Sequence, residues 1–133
     1  MFNFEPILKE NPAGVFATQD GAKVKTRVFQ FLFADGKKVY FCTNSGKSVY
    51  AQLTANPQAS FCTCAKDFSL VLSVNGSAVF VEDIGLKTRA LEENPGIKEI
   101  YKTPDNPVFK IFYLDVETIE TFTAAEGPKT YTL

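Results

Sequence analysis

A mainly antiparallel β fold is what the sequence predicts: five or six strands curled into a small barrel, with short helices between them. Three observations predict it. Apolar and alternating runs recur between turn signals, with Asp20-Gly21 and Asp35-Gly36 placed as hairpin turns. There is no regular alternation of strands and helices, which disfavours a doubly wound parallel sheet. The 133 residues, 45% of them hydrophobic, suffice for one core but not for two. A single domain over residues 1–133 is therefore expected, and a barrel would hide most of its sheet edges.

The elements follow in order. Phe4, Ile7 and Leu8 stand at helical spacing within residues 4–11, and Pro12 stops that helix. Residues 14–18 (GVFAT) read as a short buried strand. Residues 23–33 form the next strand. Its first part alternates, with Lys23, Lys25 and Arg27 on one face and Val24, Thr26 and Val28 on the other. Beyond Arg27 the run FQFLF is nearly all apolar, so that half is expected to be covered on both faces. Residues 38–43 (KVYFCT) return as its hairpin partner.

The segment KSVYAQLTAN carries Val49 and Leu53 at i, i+4 and predicts a short helix. Asn44 or Ser45 would cap it, and Asn56-Pro57 would end it. Residues 59–65 and 69–81 are two further strands, the second interrupted by a bulge or bend at Asn75-Gly76. Asp83 suits the cap of a helix through Leu91. Asn94 and Pro95 open another, with Ile97, Ile100 and Tyr101 as its buried stripe. Residues 108–123 form the last long strand region, and the remaining tail carries only a weak signal.

Composition narrows the chemistry. The chain has no His, which removes Ser-His-Asp and Cys-His catalysis, His-ligated zinc and proximal-His haem. Net charge is −1, so no global pull toward nucleic acid is expected. Locally the balance differs. Residues 23–47 hold six cations and one anion, whereas residues 82–126 hold ten acids and five cations. A basic segment in a neutral protein suits a small anionic ligand better than a polyanion. Three cysteines, Cys42, Cys62 and Cys64, cannot all pair within one chain, so no disulfide framework is expected. Cys62 and Cys64 would share one face of a strand as small buried hydrophobes, and no metal site is expected. No signal peptide is visible and every apolar run is too short to span a bilayer, so a cytoplasmic location is expected.

The most informative motif is T-N-S-G-K-S at residues 43–48, where a strand gives way to a helix. Free N–H groups of a first helical turn and the helix dipole favour an anion there. Thr43 and Ser48 add hydroxyls, Asn44 an amide and Lys47 a full charge. These are the parts of a phosphate cradle. A nucleotide P-loop is excluded, because it needs a glycine five residues before its Gly-Lys pair and position 41 is Phe. Arg27, one of two arginines, lies on the strand expected to hairpin with residues 38–43, and Arg can grip a phosphate bidentately. Val28, Phe29 and Gln30 after it supply backbone polar groups, an aromatic surface and an amide, a mixture that suits a flat heteroaromatic ligand.

In order and spacing, G-V-F-A-T, R-V-F-Q-F, D-G-K-K-V-Y-F-C-T-N, K-S-V-Y-A-Q-L before N-P, N-G-S-A-V-F-V-E-D and F-K-I-F-Y-L-D-V resemble the pyridoxamine 5′-phosphate oxidase-like superfamily of flavin-binding split barrels. The resemblance covers nearly the whole chain. It implies a six-stranded antiparallel split β-barrel, a homodimer and FMN bound at the subunit interface. It also implies an FMN-dependent oxidoreductase of a small-molecule substrate. Carried onto this sequence, Arg27, Thr43 and Lys47, with Asn44 and Ser48, would hold the FMN phosphate. Val28, Phe29 and Gln30 would lie along the flavin, and Cys42 would be a further ligand contact. No catalytic residue is assigned.

Departures from the family pattern bear on the substrate. Position 32 is Leu where pyridoxamine phosphate oxidases carry a lysine, no arginine follows Arg89, and the chain has no Trp. Vitamin B6 oxidation is not implied. Two other readings stand beside the enzyme: a flavin carrier or sensor without turnover, and an oligonucleotide-binding barrel stacking bases on Phe29, Phe31, Tyr40 and Phe41. No membrane or nucleic-acid partner is expected.

Overall fold

The computed structural model describes residues 2–133. Helix α1 (Glu5–Glu10) leads into the hairpin of β1 (Ala13–Asp20) and β2 (Lys23–Gln30). The turn between them places Gly21 at φ +61°, a conformation that costs glycine nothing because it lacks a Cβ. A second hairpin joins β3 (Phe33–Asp35) to β4 (Lys38–Asn44), followed by α2 (Ser48–Ala55). Strands β5 (Gln58–Cys64) and β6 (Leu70–Val81) come next, then α3 (Ile84–Glu93) and α4 (Pro95–Tyr101). The long β7 (Phe109–Thr123) and β8 (Gly127–Thr132) complete the chain.

All pairings are antiparallel, in the order β2-β1-β5-β6-β7-β4-β3, with β8 also on β7. The sheet splits at β7. Phe109–Asp115 pairs with β4, and Thr118–Thr123 pairs with β8, while β6 follows both halves. The fold is thus mainly β and barrel-like, as expected. Among the described residues it has eight strands, the additional two being the short β3 and the β8 that the weak tail signal does not reveal.

Two corrections concern the second strand. Residues 23–33 are not one strand but β2 and β3 separated by a corner. There Phe31 N donates to the Pro12 carbonyl at 2.7 Å and Leu32 N to the Tyr40 carbonyl at 3.0 Å, so the backbone changes partner within one residue. As a result β2 hairpins with β1, and only β3 pairs with β4. The expected covering of FQFLF holds only past the corner: Gln30 is exposed, whereas Phe31 is buried in the main core and Phe33 in a second cluster, and Val28, just before that run, is 71% exposed. Valines 24 and 28 point outward from edge strand β2, and register partner Val15 continues that apolar face on β1.

The main core fills the barrel. Phe16, Phe41, Phe61 and Phe112 are fully buried, and the Phe16 and Phe41 rings meet edge to face at 5.2 Å. Leu8 of α1 and Leu53 of α2 close it from outside the sheet. Strand β4 is buried on both faces, because its other side carries Tyr40 against a second cluster that includes Ala90, Leu91 and Tyr101 of the two later helices. At Asn75/Gly76 the β6–β7 register slips, as the Asn-Gly pair predicts. A Cβ on Gly76 would lie 2.0 Å from the Asp115 carbonyl oxygen, so only glycine fits. Asp83 caps α3 by accepting from Leu86 N at 3.1 Å.

Candidate functional site

The turn after β4 is built by Asn44. Its Oδ1 accepts from Gly46 N at 2.7 Å, and its carbonyl accepts from Lys47 N at 2.9 Å. The sequence assigned Asn44 or Ser45 as the helix cap. Instead Lys47 occupies that position, in extended backbone conformation, and no side chain caps α2. The Asn44 side chain is spent on closing the turn, because a two-residue reach to Gly46 is shorter than the reach to α2. The first turn of α2 is left without a side-chain acceptor for its N–H groups.

Thr43 shares the inward parity of Val39 and Phe41 along β4, so its side chain is carried into the interior at the strand's end. It is 2% exposed, and its Oγ1 is buried with no hydrogen-bond partner. An unpaired buried hydroxyl costs about 1–3 kcal/mol, and among the described residues this is the one buried side-chain N or O atom without a hydrogen-bond partner. Cys42 faces the other way, toward α4. Burial pushes its thiol up to about 12, partly opposed by the charge of Lys47. Burial likewise pushes the Tyr101 phenol up to about 12, with Cys42 adding to the shift. Both groups are neutral at physiological pH.

Arg27 points into the barrel from β2, opposite Phe16 in register. Its guanidinium hydrogen-bonds Thr18 Oγ1 at 2.8 Å and Gln52 Oε1 at 2.6 Å. Burial pulls its pKa below the ordinary value. Among the described residues, no carboxylate lies within 4.0 Å of the charged nitrogens of Arg27 or Lys47. Two cations without a carboxylate partner and a buried hydroxyl without a hydrogen-bond partner therefore stand on neighbouring elements.

These residues border one groove of about 450 Å³. Arg27, Thr43, Lys47 and Ser48 form its polar end. Val28, Phe29, Gln30 and Cys42 run along it. Asn44 is not part of the lining. Val49, Ile97, Ile100 and Tyr101 also line it and were not assigned to a site from sequence. Helical spacing predicts Ile97, Ile100 and Tyr101 of α4 as one buried stripe. Only Tyr101 is buried, while Ile100 is 70% exposed over the groove. Gln30 Nε2 donates to Asn94 Oδ1 at 3.0 Å, which ties β2 to the start of α4. The corrected pairing of β2 changes how Arg27 arrives: it lines the groove with Thr43 and Lys47 from a strand that does not pair with theirs.

Other expectations meet the structure here. Phe31, Tyr40 and Phe41 are buried, so three of the four aromatics considered for base stacking offer no surface. All three cysteines are free thiols. Among the described residues, no group of His, Cys, Asp or Glu forms a metal-binding cluster, and no helix is long and apolar enough to cross a membrane.

The fold matches solved structures across nearly its whole length. A NimC/NimA family protein of Clostridium acetobutylicum superposes with a TM-score of 0.83 at 24% identity, over 95% of this chain and 88% of that one. General Stress Protein 26 of Bacillus anthracis gives 0.81 at 21% identity, over 96% and 94%. A heme binding protein of Mycobacterium smegmatis gives 0.78 at 17% identity, over 95% of this chain and 55% of that one. At these identities the likeness is one of fold. No curated protein sequence matches significantly. The pyridoxamine 5′-phosphate oxidase family model matches residues 3–123, nearly the entire chain, and the chain belongs to that family.

Proposed function

We propose that the groove binds FMN and that the protein is an FMN-dependent oxidoreductase acting on a small molecule. The observation that carries this is the buried, partnerless Thr43 hydroxyl beside two cations that lack counter-ions. A phosphate supplies what all three need: acceptors for Thr43, Lys47 and Arg27, and negative charge at the uncapped start of α2. The apolar wall of Val28, Phe29 and Ile97 suits a flat ring system adjoining that phosphate. When bound, FMN supplies two-electron redox chemistry that the side chains themselves do not. The chain's part is to hold the phosphate, orient the ring along β2 and keep water from one side of it.

The same reading makes the protein a homodimer. Val24 and Val28 are each 71% exposed and Val15 is 44% exposed on one outward face, and the groove is open next to Val28. A second copy placed there would cover the valines and complete the groove. Haem fits these residues less well than FMN, since the chain has no His to ligate iron and its groove cysteine is held as a thiol.

The test is the absorption spectrum of the purified protein, mass identification of any released ligand, and titration with FMN. A colourless protein that takes up no FMN refutes the proposal. Reduction of the bound flavin by NADH, NADPH or another reductant separates an enzyme from a carrier or sensor.

A further inference from the structure

The Arg27 guanidinium carries five N–H donors. Nη1 donates to the Phe16 carbonyl at 3.2 Å and to Thr18 Oγ1 at 2.8 Å, which uses both of its hydrogens. Nη2 donates to Gln52 Oε1 at 2.6 Å. One hydrogen remains on Nε and one on Nη2. These adjacent atoms form an edge of the planar fork that can grip a phosphate bidentately.

The acceptors are themselves tied together. Thr18 Oγ1 donates to Gln52 Oε1 at 2.6 Å, so the hydroxyl receives one hydrogen bond and gives one, while the amide oxygen receives two. Thr18 is 2% exposed and Gln52 8%. Every acceptor in this ring is neutral. The ring therefore satisfies three donors of a half-buried cation without cancelling its charge.

We propose that Gln52 and Thr18 are positioning residues that hold Arg27 in place for the cofactor phosphate and keep its charge available. This rests on the FMN reading above. A glutamate at position 52 would accept the same hydrogen bonds, yet its carboxylate would neutralise the guanidinium and repel the phosphate. Gln52 lies one helical turn beyond Ser48, so α2 both offers its N-terminus to the groove and fixes the arginine that faces it.

The experiment compares FMN with riboflavin, which lacks the phosphate, by quenching of flavin fluorescence at neutral pH. Wild-type protein should prefer FMN, and Arg27→Ala should lose much of that preference. Gln52→Glu should weaken FMN binding roughly tenfold or more. Riboflavin affinity and melting temperature should not fall, because the hydrogen bonds are kept. Gln52→Leu should add no further loss of FMN affinity in the Arg27→Ala background. A wild-type FMN-to-riboflavin ratio in Gln52→Glu overturns the clamp, as does additive loss in the double variant or failure of Gln52→Glu to fold. Wild-type protein that binds FMN no better than riboflavin overturns the phosphate reading, and this inference with it.

Discussion

Replacing Thr43 with Val should move stability and ligand affinity in opposite directions. The two side chains have nearly the same shape, so packing against Val39 and Phe41 in β4 is retained. What changes is Oγ1, which is buried without a partner. Removing an unsatisfied buried hydroxyl recovers about 1–3 kcal/mol of desolvation cost. For a single domain of this size that is a rise in melting temperature of roughly 3–10 °C in ligand-free protein. A hydrogen bond from that hydroxyl to a charged phosphate is worth about 1.5–3 kcal/mol, so FMN affinity should fall roughly 10- to 100-fold. Differential scanning fluorimetry of ligand-free protein and a fluorescence titration with FMN measure the two sides. A Thr43→Val protein that melts lower than wild type, or binds FMN equally well, refutes the reasoning. In the first case the hydroxyl already has a partner in the ligand-free protein. In the second it is not part of the cradle.

Further expectations follow from the same site and fold. The double variant Arg27→Ala, Lys47→Ala removes both cations of the groove and should cost about two charge-assisted contacts of roughly 1.5–3 kcal/mol each. Unchanged FMN affinity in the folded double variant would remove these residues from the site. The Cys42 thiol and Tyr101 phenol are both raised to about 12 by burial, above their unfolded values near 9 and 10. The folded state therefore keeps protons that the unfolded state releases. Their stabilising contribution is complete below pH 9 and is lost as pH rises toward 12. Urea denaturation at several pH values should show this decline, and Cys42→Ala should flatten its lower part. Gly76→Ala forces a Cβ to within 2.0 Å of a backbone oxygen and should cost about 3 kcal/mol or more, read as a lower urea midpoint.

Much of the fold was legible because it rests on local chemistry. Asp20-Gly21 and Asp35-Gly36 make turns wherever they stand between strands, and Asp83 caps a helix through a contact three residues away. The Asn75-Gly76 bulge follows from the missing Cβ of one residue. The β3 break was hidden because FQFLF has a continuous apolar pattern. Nothing in that pattern tells a straight strand from one that turns a corner and changes partner. The tail strand β8 was hidden for a related reason: it relies on pairing with β7 rather than on its own alternation.

The groove divides in the same way. Thr43, Lys47 and Ser48 are close in sequence, and the strand-to-helix junction alone places them together. Arg27 joins them in the groove from edge strand β2, which pairs with β1 and not β4, the backbone changing partner at Phe31-Leu32. Ile100 was read as core, since helical spacing reports which residues share a face and not what the face meets. The sequence by itself determined the hairpins, the caps, the bulge and the anion-seeking character of residues 43–48, all set by chemistry within a few residues. Only the tertiary structure decided which strand Arg27 hairpins with, that Thr43 lacks a partner and that Gln52 stands beside the guanidinium. The last of these rests on contacts 25 and 34 residues apart in the chain, Arg27–Gln52 and Thr18–Gln52, which no local pattern encodes.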